Sequence, residues 1–125
     1  MTDTNRDWSQ EVAAWVREWA VRLDLQHWTL EINFDEAVHL ATCVAEPQYM
    51  QAIISFNPVR LDLEIETERE LEELVLHELV HARLWALANL FIGLDENGKR
   101  MTEFLEEEAV TQMTGALLRS KYNKR

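Results

Sequence analysis

His77, Glu78 and His81 stand in the order His-Glu-x-x-His, a spacing that acquires chemical meaning on an α-helix. Residues four apart there share one face, about one turn from each other, so two imidazoles can reach a single ion. Glu78 is turned about 100° around the axis, given roughly 3.6 residues per turn. That places its carboxylate where it can work on a water at the ion without ligating the ion. Two nitrogen ligands and a free carboxylate are the ingredients of metal-assisted hydrolysis, with Glu78 as general base. Four His and seventeen Glu among 125 residues produce the pattern by chance about 0.02 times, so accident is a poor account of it.

The element that must hold these residues is legible around them. Thr67 and Glu70 form a capping-box pair, which predicts a helix starting near Glu68. From there Leu71, Leu74, Val75, Leu79, Val80, Leu84, Leu87, Leu90 and Phe91 recur at three- and four-residue steps, with Gly93 as the expected stop. Apolar residues wrap most of this helix and mark it as the central one. Two core histidines bonded to backbone are the blander account. Three buried polar side chains would then need unrelated partners, whereas one divalent cation and its water satisfy all three. The expected cofactor is one Zn2+.

A catalytic zinc takes three protein ligands. His81 is followed by Ala82, Arg83 and Leu84, and no histidine occurs later, so the third ligand is expected to be a carboxylate from a helix predicted over Met101 to Leu118. That helix carries Glu106-Glu107-Glu108-Ala109-Val110-Thr111, with Thr102 as N-cap and Leu105, Ala109, Met113, Ala116 and Leu117 as its apolar stripe. Consecutive glutamates in a first turn ordinarily serve the helix dipole. Glu107 is favoured as ligand because Thr111, one turn on, could orient the metal shell. Glu106, within the stripe, is second, and Glu108 third.

The stretch from Leu74 to His81, the stretch from Glu106 to Thr111, and a strand ending at Asn57-Pro58 before the first of these helices together resemble the gluzincins. These are zinc metallopeptidases with HExxH on one helix and a glutamate ligand on the next. In size the chain resembles the minimal zincin-type domains of bacteriophage and prophage. The resemblance implies His77 and His81 as ligands, Glu78 as general base, one glutamate of 106 to 108 as third ligand, and a peptide or protein substrate. It also implies that the strand at 51 to 56 is a sheet edge, able to pair with an extended peptide. The Asp that larger gluzincins carry four residues beyond the ligand is Thr111 here.

The rest of the chain supplies a frame. A length of 125 residues with 47% hydrophobic content suits one domain with a core of its own. Asp7 with Gln10 opens a first helix, and Trp8, Val12, Trp15, Val16, Trp19 and Leu23 trace one face of it to about Asp24, a stripe that reads as core. Trp28 to Phe34 alternates as a half-buried strand, with further strands near Ala41 to Ala45 and at Gln51 to Phe56. Val59 to Glu66 reads as a strand or as a loop with a helical turn, and Asp95 to Gly98 as a surface loop. The fold expected is α+β and zincin-like: an N-terminal helix, a small three-stranded antiparallel or mixed sheet with helices on one face, the HExxH helix, and a glutamate-bearing helix.

Cys43 is alone, so no intramolecular disulfide forms. No apolar run suits a signal peptide or a membrane span, and a cytoplasmic setting is expected. A net charge of −11 disfavours nucleic acid and anionic membranes as partners. His27 and His39 flank the strands and are not needed by the site. Tyr49 and Tyr122 are candidate donors to an oxyanion. Two other readings compete with a zinc-dependent peptidase: a zinc-binding peptide-recognition or regulatory module without catalysis, and a metal-free acidic mimic of nucleic acid.

Overall fold

A computed structural model describes residues 7–89 and 96–123, with the side chains of 85–89 and 96–104 outside the description. Its order is α1 (Ser9–Arg22), β1 (Thr29–Phe34), β2 (Ala41–Glu46), a single 3-10 turn (Pro47–Tyr49), β3 (Gln51–Phe56), α2 (Pro58–Glu64), α3 (Glu68–Asn89) and α4 (Glu96–Tyr122). The class is α+β, with four α-helices and a small mixed sheet among the described residues.

Asp7 starts α1 by accepting from Ser9 N at 3.0 Å and Ser9 Oγ at 2.6 Å, a turn that an Asx side chain makes readily. Val12, Val16, Trp19 and Ala20 form the buried face. Of the three tryptophans on this stripe, Trp8 and Trp19 are buried and Trp15 lies partly buried against the core, as their spacing predicts. The helix ends where Asp24 adopts a left-handed φ of 61°. Leu25 N then reaches Ala20 O at 2.7 Å, and the Leu25 side chain closes the end apolar and fully buried.

The sheet order is β1-β3-β2. β1 runs parallel to β3 in register Thr29↔Gln51 to Phe34↔Phe56, and β2 runs antiparallel to it, Ala41↔Phe56 to Glu46↔Gln51. The expectation that residues 51 to 56 form an edge is therefore wrong: β3 is the central strand, with both its edges already paired. Its alternation puts Ala52, Ile54 and Phe56 on the buried face, and Leu30, Ile32, Cys43 and Ala45 line the same side. Helices cover this one face, as expected. On the other face Val44 and Ile53, register partners, stay exposed.

Asn57 stops β3 and starts α2. Its Oδ1 accepts from Val59 N at 3.0 Å and Arg60 N at 3.2 Å, with Pro58 at the first helical position. Its Nδ2 donates to the Glu36 and Val38 carbonyls at 3.2 and 2.9 Å, tying down the β1–β2 connection. The stretch at 59 to 66 is thus mostly helix, and the alternation of its residues is a false strand signal.

α3 begins with the predicted box. Glu70 N donates to Thr67 Oγ1 at 3.1 Å, while Glu70 Oε1 accepts from Thr67 N at 3.2 Å and Glu66 N at 2.7 Å. Leu71, Val75, Leu76, Leu79, Val80 and Ala82 are buried, which makes α3 the central helix. The expected stop at Gly93 lies outside the described residues.

α4 departs from expectation at its start and in its rotation. Thr102 lies inside it rather than at its cap, and Glu96, Asn97 and Gly98 are helical rather than loop; Asp95 is not described. Among its described side chains Val110, Thr114 and Leu118 are buried, whereas Leu105 and Met113 of the predicted stripe are exposed. The rotation is set by its far end. Glu72 of α3, fully buried, accepts from Trp19 Nε1 at 2.7 Å, Lys121 Nζ at 2.6 Å and Tyr122 Oη at 2.5 Å. Lys121 also meets Glu18 at 2.8 Å. Burial works against this carboxylate, yet the bonds from Lys121, Tyr122 and Trp19 hold its pKa below the ordinary value. No helix among the described residues is long and apolar enough to cross a membrane.

Candidate metal centre

The two histidines project from α3 on one side, their ring centroids 5.0 Å apart and the rings inclined at 70°. α4 crosses them and presents Glu107. Its Oε2 lies 2.9 Å from His77 Nε2 and its Oε1 lies 3.0 Å from His81 Nε2. One ligand atom from each of the three residues falls within 4.8 Å of the others. Ligands at about 2.0–2.1 Å on a zinc tetrahedron sit roughly 3.3 Å apart, so the two Glu107 contacts are near ligand spacing, and the set as a whole, within 4.8 Å, would contract around an ion. The donor set of two imidazoles and one carboxylate is of the kind zinc takes.

Glu106, next to the favoured ligand, is also at the site, with Oε2 3.1 Å from His81 Nδ1. On sequence alone Glu106 and Glu107 are alternatives; the structure places both at His81, on opposite nitrogens. The observed rotation explains this. Glu106 is one turn before buried Val110 on the face turned to α3, and Glu107 is the next residue around. Glu108 is exposed, and so is Thr111, the residue that favoured Glu107 at the sequence level. The outer contact to a histidine is made by Glu106 instead.

Glu78 is 6% exposed, on the side of α3 that faces β2. Burial pushes its carboxyl up to about 7, with nearby His81 opposing and Glu107 adding to the rise. Burial likewise lowers the His77 pKa, against the attraction of Glu107 and with help from His81, which favours the neutral form that a ligand requires. Cys43 of β2 is half-buried, and its thiol is pushed up to about 12 by burial and by the charges of Glu78 and Glu106. A thiol held protonated is unreactive. Its dependence on those two carboxylates locates β2 beside the site.

The two tyrosines separate. Tyr122 gives its hydroxyl to Glu72 and is fifteen residues along α4 from Glu107, about 22 Å at 1.5 Å per residue, so it is not at this site. Tyr49 is exposed in the 3-10 turn, which packs on α3. His27 and His39 lie outside the cluster. Comparison with protein-family models, with curated proteins and with solved structures finds no match to this chain.

Proposed function

We propose that the protein is a zinc-dependent peptidase of the gluzincin kind, with His77, His81 and Glu107 as ligands and Glu78 as general base. The observation that carries this reading is one carboxylate, Glu107, contacting the Nε2 atoms of both histidines, with a second, Glu78, buried beside them. Zinc, when bound, supplies Lewis acidity at the scissile carbonyl and a nucleophile that forms at neutral pH. Glu78 takes the proton of the attacking water and hands it to the leaving amine. Its raised pKa suits a group that must both accept and release a proton near neutrality. Because β3 is paired on both sides, the peptide's place in this reading is β2, which runs beside Glu78 and has, among the described residues, no second partner strand. Tyr49, at the end of that edge, is the remaining candidate donor to the oxyanion.

The test has two arms. Protein purified without chelator should carry about one zinc per chain, and His77→Ala, His81→Ala and Glu107→Ala should each carry nearly none. Glu78→Gln should keep the metal and lose hydrolysis of a fluorescence-quenched peptide mixture by a factor of about 100 or more. Unchanged zinc in the histidine variants removes the site. Full activity in Glu78→Gln removes the mechanism, and zinc without hydrolysis in the wild type leaves the peptide-binding module.

A further inference from the structure

We propose that Glu106 is a positioning residue: by accepting a hydrogen bond from His81 Nδ1 it fixes the tautomer of that ring and turns Nε2 toward the ion. This rests on the metal reading above and adds a role that reading does not contain. The contact is 3.1 Å. A carboxylate only accepts, so Nδ1 must carry the hydrogen, and the neutral ring then keeps a lone pair at Nε2. That lone pair faces Glu107 Oε1 at 3.0 Å. Two acceptors opposed at this distance need positive charge between them, which the ion supplies when bound and a second ring proton supplies in its absence. His81 is thus held from one side by Glu106 and offered to the ion on the other, a division of labour between two adjacent glutamates.

Burial separates the two roles. The Glu106 side chain is 16% exposed and that of Glu107 57%. Glu106 stands on the face of α4 that continues through Val110 and Thr114, and it acts electrostatically on Cys43, so it is enclosed between α3, α4 and β2. An enclosed carboxylate loses little side-chain freedom on bonding the ring and competes little with water. Nδ1 and Nε2 point to opposite sides of an imidazole, so a carboxylate on the first is poorly placed to ligate an ion on the second.

The experiment compares wild type, Glu106→Gln, Glu106→Ala, Glu106→Met and Glu107→Ala. Zn2+ affinity is read by competition with a chromophoric chelator, and the His81 ring by 15N NMR of the zinc-loaded protein. Gln keeps an acceptor for Nδ1–H; Met fills the space without one, so a poorly folded Ala variant does not decide the outcome. Glu106→Ala and Glu106→Met should still bind one zinc, about 10- to 100-fold more weakly, and lose the protected Nδ1–H signal. Glu106→Gln should recover most of the affinity and the signal. Equal affinity and an unchanged His81 signal in Glu106→Met overturn this role alone. Complete loss of zinc in Ala, Met and Gln alike, matching Glu107→Ala, overturns it by making Glu106 a ligand. A wild-type protein that takes up no zinc overturns the metal reading and this role with it.

Discussion

Glu78 carries the sharpest consequences at the scale of a residue. Its folded pKa, about 7, lies above the ordinary 4.5, so between these values the metal-free folded state binds more protons than the unfolded chain. Stability from this group is full below the lower value and is lost as pH rises through the upper one. Metal-free wild type should therefore lose up to about 3 kcal/mol relative to Glu78→Gln across that window, taking about 1.4 kcal/mol per unit. Urea unfolding of both proteins at pH 4.5 and at pH 8 checks the sign. A slope equal in both would show that Glu78 titrates normally. That His77 and His81 share one side of a helix was legible in the sequence, because four-residue spacing has one meaning on any helix. The sharing of His81 by Glu106 and Glu107 was not, since neighbouring residues differ only in how their helix is rolled.

That roll is a matter of elements. From α4 alone, Leu105, Ala109, Met113 and Ala116 look like the inner stripe, but the bonds of Lys121 and Tyr122 to Glu72 turn Val110, Thr114 and Leu118 inward. A buried carboxylate fifty residues away in sequence decides it, and no local pattern reports such a partner. Glu72→Ala leaves Trp19 Nε1 and Tyr122 Oη without this acceptor and Lys121 with Glu18 alone, and should cost about 3–5 kcal/mol in urea unfolding; it should also weaken zinc binding by letting α4 shift. Loss of stability with unchanged zinc affinity would show that α4 is aligned without this clasp. The strands, by contrast, were legible from alternation, but their order was not, because alternation reports a covered face and says nothing of neighbours. With β2 as the receiving edge, amide exchange along Ala41–Glu46 should slow when a peptide inhibitor binds, while β3, paired on both sides, is slow already. Protection appearing in β1 instead would move the substrate to the opposite edge.

Over the whole molecule, an ion held at the proposed site would act as a ligand of the folded state. Free Zn2+ at 100 times its Kd should add about 2.7 kcal/mol, raising Tm by roughly 10 °C for a domain of this size. Calorimetry with and without chelator checks this, and Glu107→Ala should show no rise. The mixed class and the central place of the HExxH helix were expected from the sequence; the strand that joins the sheet was not. β3 is the last of the three strands to be synthesised, yet it is the neighbour of both others. Until Phe56 has left the ribosome β1 and β2 have no common template, and the parallel pair must then close the full span from Thr29 to Gln51. Glu107 emerges later still. A nascent chain halted before α4 already owns both imidazoles but lacks the hand that would close on the proposed ion, so firm retention of metal would mark a polypeptide whose synthesis has passed that helix.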